Sequence, residues 1–322
     1  MSEPIKHRYE FMFIFDCENG NPNGDPDAGN TPRIDPQDMR GLVSDVSIKR
    51  RIRNYVQLVG ENKTPNSIYI QNATNLNTKI AEAHEEANGQ LPSTPNTEQV
   101  NKAKDWMCNN FFDVRTFGAV MSTGANAGQV RGPVQIAFAK SVHPIMQLDV
   151  SITRMAVADN LKDAKSSDDY KKWEAEQPED KIRTFGRKSI VPYGLYVGKA
   201  FVSAHLAEKT GFSANDLKVF VESLLNMYEH DRSSSKGIMT TRKVYAIKHV
   251  GTDSDNEQRA RQAKLGCCPA QLLFEDVMNI ELKDNKSFPR FFSDYKGIKP
   301  DTSVIPAGVE LLEFPQDMGK LD

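Results

Sequence analysis

Apolar positions along this chain fall into short runs and helical stripes that predict alternating strands and helices. Tyr9-Glu10-Phe11-Met12-Phe13-Ile14-Phe15 is an aromatic run bounded by turn formers, which predicts a strand buried on at least one face. The segment after it, Asp16 to Pro26, alternates Asn, Gly, Asp and Pro. Such residues supply turn geometry and local hydrogen bonds, so a surface loop is expected. Asp35 as a cap and Pro36 at the first position predict a helix from about Pro36 to Val59. Met39, Leu42, Val43 and Val46 form one stripe on it, and Ile52, Val56 and Val59 a rotated one, which predicts a bend near Ser47.

Farther on, Asn66 to Ile70 reads as a short strand. Asn72 to Asn110 is polar, with helical stretches near Leu76 to Asn88 and Thr97 to Phe112, and reads as an insertion. From Asp113 the composition turns β-like through Phe117–Met121, Gly132–Phe138 and Leu148–Ile152. Ala156 to Arg187 is charged and poor in β-branched residues, which predicts a second, projecting insertion. Tyr193–Val202 then reads as a strand, Asn215–Glu229 as an amphipathic helix carrying Leu217, Phe220, Val221, Leu224 and Leu225, and Val244–Ile247 as a strand. A strand–helix–strand unit at each end predicts the split βαβ arrangement of a ferredoxin-like or RRM-like α+β domain. The tail from Cys267 to Asp322, with Leu272-Leu273-Phe274 and Val309-Glu310-Leu311-Leu312, is expected to complete the core.

The 322 residues are 39% hydrophobic and 26% charged, enough for one elaborated domain or two. A formal net charge of -2 argues against a generally basic nucleic-acid coat, so any polyanion site must come from local clustering. Cys17, Cys108, Cys267 and Cys268 show no CxxC spacing, which suits neither a disulfide framework nor a zinc site. No apolar run approaches the roughly 18 residues of a spanning helix, and no cleavable leader pattern opens the chain. A soluble, unsecreted protein is expected.

Enzyme motifs are missing: no GxxxxGK[ST], GxSxG or HExxH occurs, and the histidines are scattered. Asn19, Asn21, Asn23, Gly24 and Asn30 fall at calcium-loop places, but uncharged amides make that a weak site against a plain turn. Asp16, Glu18, Asp25, Asp27 and Asp35 could gather a magnesium ion, or serve as turn and cap residues. The stronger feature is Ile48-Lys49-Arg50-Arg51-Ile52-Arg53. It is either a solvated helix face or a phosphate-binding one. Lys49 and Arg53 share a face four residues apart, with Arg50 beside them and Ser44 and Ser47 a turn back, all donors suited to phosphate oxygens. Arg131-Gly132-Pro133-Val134-Gln135 and Ser233-Ser234-Ser235-Lys236-Gly237 are Gly-containing junctions that could bring backbone amides to the same polyanion.

Gly20-Asn21-Pro22-Asn23-Gly24-Asp25-Pro26, the Ser44-x-x-x-Ile48-Lys49-Arg50-x-x-Arg53 helix, Phe112-Asp113-Val114-Arg115-Thr116-Phe117-Gly118-Ala119 and Gly132-Pro133-Val134-Gln135 occur in one order. Together they resemble the CRISPR-associated Cascade backbone subunit, the "Cas seven" family, in its type I-C (Csd-two-like) form, from about residue 9 to 250. The resemblance implies a modified RRM-like palm (about 1–71, 111–155 and 191–322), a helical fingers insertion (72–110) and a projecting thumb insertion (156–190). It implies copies stacked into a helical filament along a CRISPR RNA, paired with target DNA in antiviral defence. The implied company is a Cas-five-like cap, a large subunit and a small subunit, in the cytoplasm and away from membranes. Carried over residue by residue, Arg33, Ser44, Lys49, Arg50 and Arg53 would hold guide phosphates, Gln135 and Ser141 would line the palm, and Lys236 would lie in a loop near the RNA. Asp113, Arg115 and Phe117 read as structural, in a stretch of strand character. Trp173, Phe185, Arg187 and Lys188 are thumb candidates, although Trp173 could equally pack the base of its own insertion.

Arg115 to Ser122 keeps only a loose echo of the RNP1 strand and lacks its later aromatics, so sequence-independent phosphate binding fits better than base stacking. A guide whose bases must pair with a target is best held that way. No cofactor, metal or catalysis is expected. The alternative is a metal-dependent endoribonuclease using the acidic 16–35 loop, as in related RNA-targeting backbone subunits.

Overall fold

The structure is a computed structural model that describes the chain except residues 1–2, 180, 276 and 285–287. The side chains of Leu272 and Leu273 also lie outside the described residues, so that part of the apolar tail goes undescribed. Its centre is the strand Tyr9–Gly20, which pairs antiparallel with Thr184–Val202 on one side and Ile238–His249 on the other. Across the sheet the order is Val309–Phe314, Ile238–His249, Tyr9–Gly20, Thr184–Val202, Ala139–Pro144 and Arg40–Val43. Val134–Ile136 and Leu148–Arg154 add to the long strand Thr184–Val202. The protein is a mixed α+β structure built on one large antiparallel sheet.

Period-two alternation explains why the first strand reads as an unbroken apolar run. Tyr9, Phe11, Phe13 and Phe15 pack in one core with Ile48 and Ile52 of helix Asp45–Val59 and Leu217 and Phe220 of helix Ala214–Asn226. Met12 and Ile14 join a second core with Phe274, Tyr295 and Ile298 from the carboxyl-terminal segment. Each such side chain fully removed from water stabilises the fold by about 1.5–3 kcal/mol. Phe220 meets Phe11 edge-on at 5.5 Å. Helices Leu76–Asn88 and Thr97–Asn110 carry a small core of their own, with Ile80, Ala83, Ala103 and Met107. Helix Ser167–Glu176 buries no side chain, and strands Leu148–Arg154 and Thr184–Val202 join it to the sheet.

Several expectations need correction. The first strand runs on through Gly20, because Asp16 to Glu18 continue the ladder against Leu195 to Tyr193. The basic helix is Asp45–Val59, with Ser44 rather than Asp35 as its cap. Arg40–Val43 is instead an edge strand whose Leu42 pairs with Lys140, and Met39 turns into it at φ 58°. The apolar stripe ahead of Ser47 is therefore split: Val43 enters the core, while Met39 and Val46 are exposed. Ser67 makes a single bridge to Phe111, not a strand. Phe112–Phe117 is one and a half turns of helix, not a strand, and all six side chains are buried. Among the described residues no helix is long and apolar enough to cross a membrane, and the four cysteines are free.

Candidate nucleic-acid interface

Helix Asp45–Val59 starts where Ser44 caps it, the Ser44 Oγ accepting from Ser47 N at 3.4 Å. The Asn23 side-chain oxygen accepts from both Ser44 N and Ser44 Oγ, at 2.8 and 2.9 Å. Ser44 is thus consumed in pinning the Asn/Gly loop to the helix end. The cations beyond it do not form one free ridge. Lys49 donates to Asp45 at 2.9 Å, and Arg53 is buried with its Nε on Asp113 at 2.7 Å. Lys49 and Arg53 do share a face, but that face lies over the Phe117 ring at 5.8 and 5.3 Å. Asp113 also accepts from Tyr69 N and Ile70 N, so the pair is part of the core's polar bracing. Arg50 differs: it is exposed and, among the described residues, has no carboxylate at ion-pair distance.

Arg51, a residue not singled out as a ligand, is buried and ties the two loops. Its Nη2 donates to Pro22 O at 2.8 Å, its Nε lies 3.1 Å from Asp231, and its guanidinium covers the Tyr228 ring at 5.4 Å. Asp231 in turn pairs with Lys236. Asn21 N donates to Ser235 O at 2.8 Å, and the backbones cross so closely that a Cβ on Gly20 would sit 2.0 Å from Lys236 O. Only glycine fits there.

Against this crossing stands the base of the projecting strand pair. A polar cavity of about 320 Å³ is lined by Asn21, Asn30, Thr31, Arg187, Lys188 and Ser235. Lys188 Nζ donates to Ser234 O at 3.2 Å and to Ser234 Oγ at 3.3 Å, and among the described residues its charge has no acidic partner. Arg187 is exposed and has no ion pair among the described residues. Asp149, the one carboxylate on the lining, accepts from Ser189 Oγ and from Gln147 at 3.1 Å, and those bonds hold its pKa below the ordinary range. The cavity therefore offers guanidinium, ammonium, hydroxyl and amide donors at one place, a set suited to phosphate oxygens.

Of the remaining predicted residues, Arg33 lies by the Asn/Gly loop, its N donating to Asn23 O at 3.1 Å, whereas Ser141 and Gln135 do not. Arg33 Nη2 is 3.4 Å from Asp25, and its Nε is buried without a hydrogen-bond partner. Ser141 is buried, accepting from Gly41 N at 2.9 Å and donating to His143 O at 2.6 Å. Gln135 is exposed opposite Phe201. That register is about 40 Å along the long strand from Ser189, at some 3.3 Å per residue. Gln135 and Lys236 do not share a site.

The loop carboxylates do not converge. Asp16 accepts from Arg242 at 2.8 Å and Tyr193 at 3.1 Å, and burial pushes its pKa up. Asp25 accepts from Asp27 N at 3.2 Å, and Asp35 accepts from Gln37 N at 3.0 Å and Lys140 at 3.1 Å. Asn21 Nδ2 donates to Asn30 O at 2.7 Å, so two calcium-loop positions bond each other. Among the described residues no three His, Cys, Asp or Glu side chains are grouped for a metal.

The arrangement is an α+β scaffold presenting cations and amide donors where two loops and a projecting strand pair meet. The chain belongs to the family described as "CRISPR-associated protein Cas7", whose model matches residues 7–299. A curated relative in Haloferax volcanii, "CRISPR-associated protein Cas7", is 25% identical over 155 residues, 43% of this chain and 44% of that protein. The chain therefore matches less than half the length of that relative. Among solved structures, a chain of "CRISPR RNA-guided surveillance complex, pre-nicking" is similar with a TM-score of 0.47 at 15% identity, over 83% of this chain and 85% of that one. A chain of "CRISPR RNA-guided surveillance complex" gives 0.44 at 17% identity, over 83% and 79%.

Proposed function

We propose that this protein is the CRISPR RNA-binding backbone subunit of a type I-C Cascade surveillance complex in the cytoplasm, and not an enzyme. Copies stack along the guide, hold its phosphates without reading its bases, and present it for pairing with target DNA. A cap subunit, a large subunit and a small subunit complete the assembly. The observation that carries this reading is the family match across residues 7–299. The geometry supports Arg187 and Lys188 at the loop crossing, and the exposed Arg50 on helix Asp45–Val59, as cations free to take phosphates, with Arg33, Lys49 and Lys236 as exchangeable ones. Arg53 and Ser44 then serve as supports. The sheet order, with helices Asp45–Val59 and Ala214–Asn226 on one face, supports an RRM-like palm, with fingers at 72–110 and a thumb at 156–190.

An endoribonuclease role is disfavoured because Asp16, Asp25 and Asp35 are occupied by protein donors and, among the described residues, no three metal-ligating side chains are grouped. Purification followed by the ratio of absorbance at 260 and 280 nm tests the proposal. Copurified RNA that remains intact with magnesium, with or without chelator, is expected. RNA-free protein, or chelator-sensitive cleavage lost in Asp16→Asn, would overturn it.

A further inference from the structure

The sheet face opposite the basic helix holds a cavity of about 380 Å³ that the function above leaves unused. Met12, Val142 and Val197 line it from three neighbouring strands, Tyr9–Gly20, Ala139–Pro144 and Thr184–Val202, turned to one face by period-two alternation. Phe274, Met278 and Ile280 line it from helix Ala270–Glu275 and strand Met278–Leu282. Val142, Val197, Met278 and Ile280 are only partly buried, so apolar wall is left facing water. The polar groups are few. Ser141 Oγ is already committed to Gly41 N and His143 O. Arg40 lies 3.7 Å from Asp38, and Lys140 lies 2.8 Å from Asp38 and 3.1 Å from Asp35. Lys199, the third lining cation, has no ion pair among the described residues, and its Nζ rests over the Phe274 ring at 4.9 Å. That contact places the ammonium without neutralising it.

An apolar hollow with one polar anchor is the usual form of a small-molecule site, and this volume falls in the range of roughly 300–1,000 Å³ that such sites occupy. The walls define the body of the ligand. They are mostly aliphatic and thioether side chains, and the Phe274 ring already carries Lys199 on its face and Phe201 against it at 5.6 Å. With Ser141 committed, nothing among the lining side chains is left to read the edge of a heterocycle, so a saturated chain fits. The charges define its head. One unneutralised ammonium answers one negative charge, and the carboxylates of Asp35 and Asp38 disfavour a dianion such as a phosphate ester. We infer that this cavity binds a free medium-chain fatty acid, its carboxylate on Lys199 Nζ and its chain between Met12, Val197, Met278 and Ile280.

The test is calorimetric titration of decanoate into the protein as purified, comparing wild type with Lys199→Met, which keeps the stem and removes the charge, and with Ile280→Trp, which fills the cavity from a half-buried position. An unchanged thermal midpoint verifies folding of each. The expected result is saturable binding of decanoate that weakens about fourfold for each methylene removed down to hexanoate. Lys199→Met should bind decanoate about tenfold more weakly and decanol as well as wild type does, and Ile280→Trp should lose both. Absence of saturable binding, no dependence on chain length, or equal decanoate affinity in wild type and Lys199→Met overturns the inference. So does binding to phosphatidylcholine vesicles without binding of free decanoate, which would give the face to a membrane surface. RNA content falling in Lys199→Met also overturns it, by making the cavity part of the guide site. Should Ile280→Trp fail to fold, Lys199→Met and the chain-length series still decide. Protein purified without RNA would refute the function above, yet its decanoate titration would still decide the cavity.

Discussion

Arg50 and Arg53 stand three residues apart on one helix and meet opposite surroundings. Arg53 is sealed against Asp113, so Arg53→Ala leaves a buried carboxylate without its cation and should cost about 3 kcal/mol. Arg50→Ala should stay within about 0.5 kcal/mol of wild type. Urea unfolding at constant m distinguishes them, and equal costs would contradict the assignment of support to one and contact to the other. Asp16 offers a pH test. Burial raises its pKa from the ordinary 3.8 against the pull of Arg242 and Tyr193, so the folded state holds the proton more tightly than the unfolded chain. The stability of wild type relative to Asp16→Asn should therefore be greatest below pH 3.8 and fall as pH rises through the raised folded value. Unfolding curves across that window that show the difference growing with pH would refute the sign.

At the scale of elements, the sequence pattern succeeded where contacts are local and failed where they are distant. Helix Leu76–Asn88 has its own cap and its own small core, and a helical stretch near those bounds was legible in the sequence. Arg40–Val43 was not, because it is held as a strand by Ala139 to Pro144, about a hundred residues away, and nothing within Pro36 to Val59 announces that partner. Phe112–Phe117 misled in the same way: its aromatic composition favours a strand, yet burial of all six side chains is met by one short helix. The basic cluster was visible as a charge run, but which members are free depends on Asp113 and Asp231, remote in sequence. Arg187 and Lys188 read only as thumb residues, because their place beside Ser235 follows from strand register. Ser44 links helix to loop, so Ser44→Ala should lower stability by about 1 kcal/mol through the lost cap. It should also loosen the 21–26 segment, seen as faster amide exchange at Asn23 and Gly24. Unchanged exchange would separate the loop from the helix end.

For the whole molecule, a mildly acidic chain pairs many of its cations locally and leaves others exposed, Arg50 and Arg187 among them. Each copy need contribute only a few phosphate contacts, since stacking along one guide adds them. The central claim is that those contacts sit at the loop crossing and on Arg50 of helix Asp45–Val59, and ignore base identity. Its most direct test is guide affinity against salt for wild type and for the triple variant Arg50→Ala, Arg187→Ala, Lys188→Ala, on two guides of unrelated sequence. At about 0.7 per single-strand phosphate, the account predicts a slope shallower by about 2, by the same amount on both guides. An unchanged slope, or a loss confined to one guide, would contradict it.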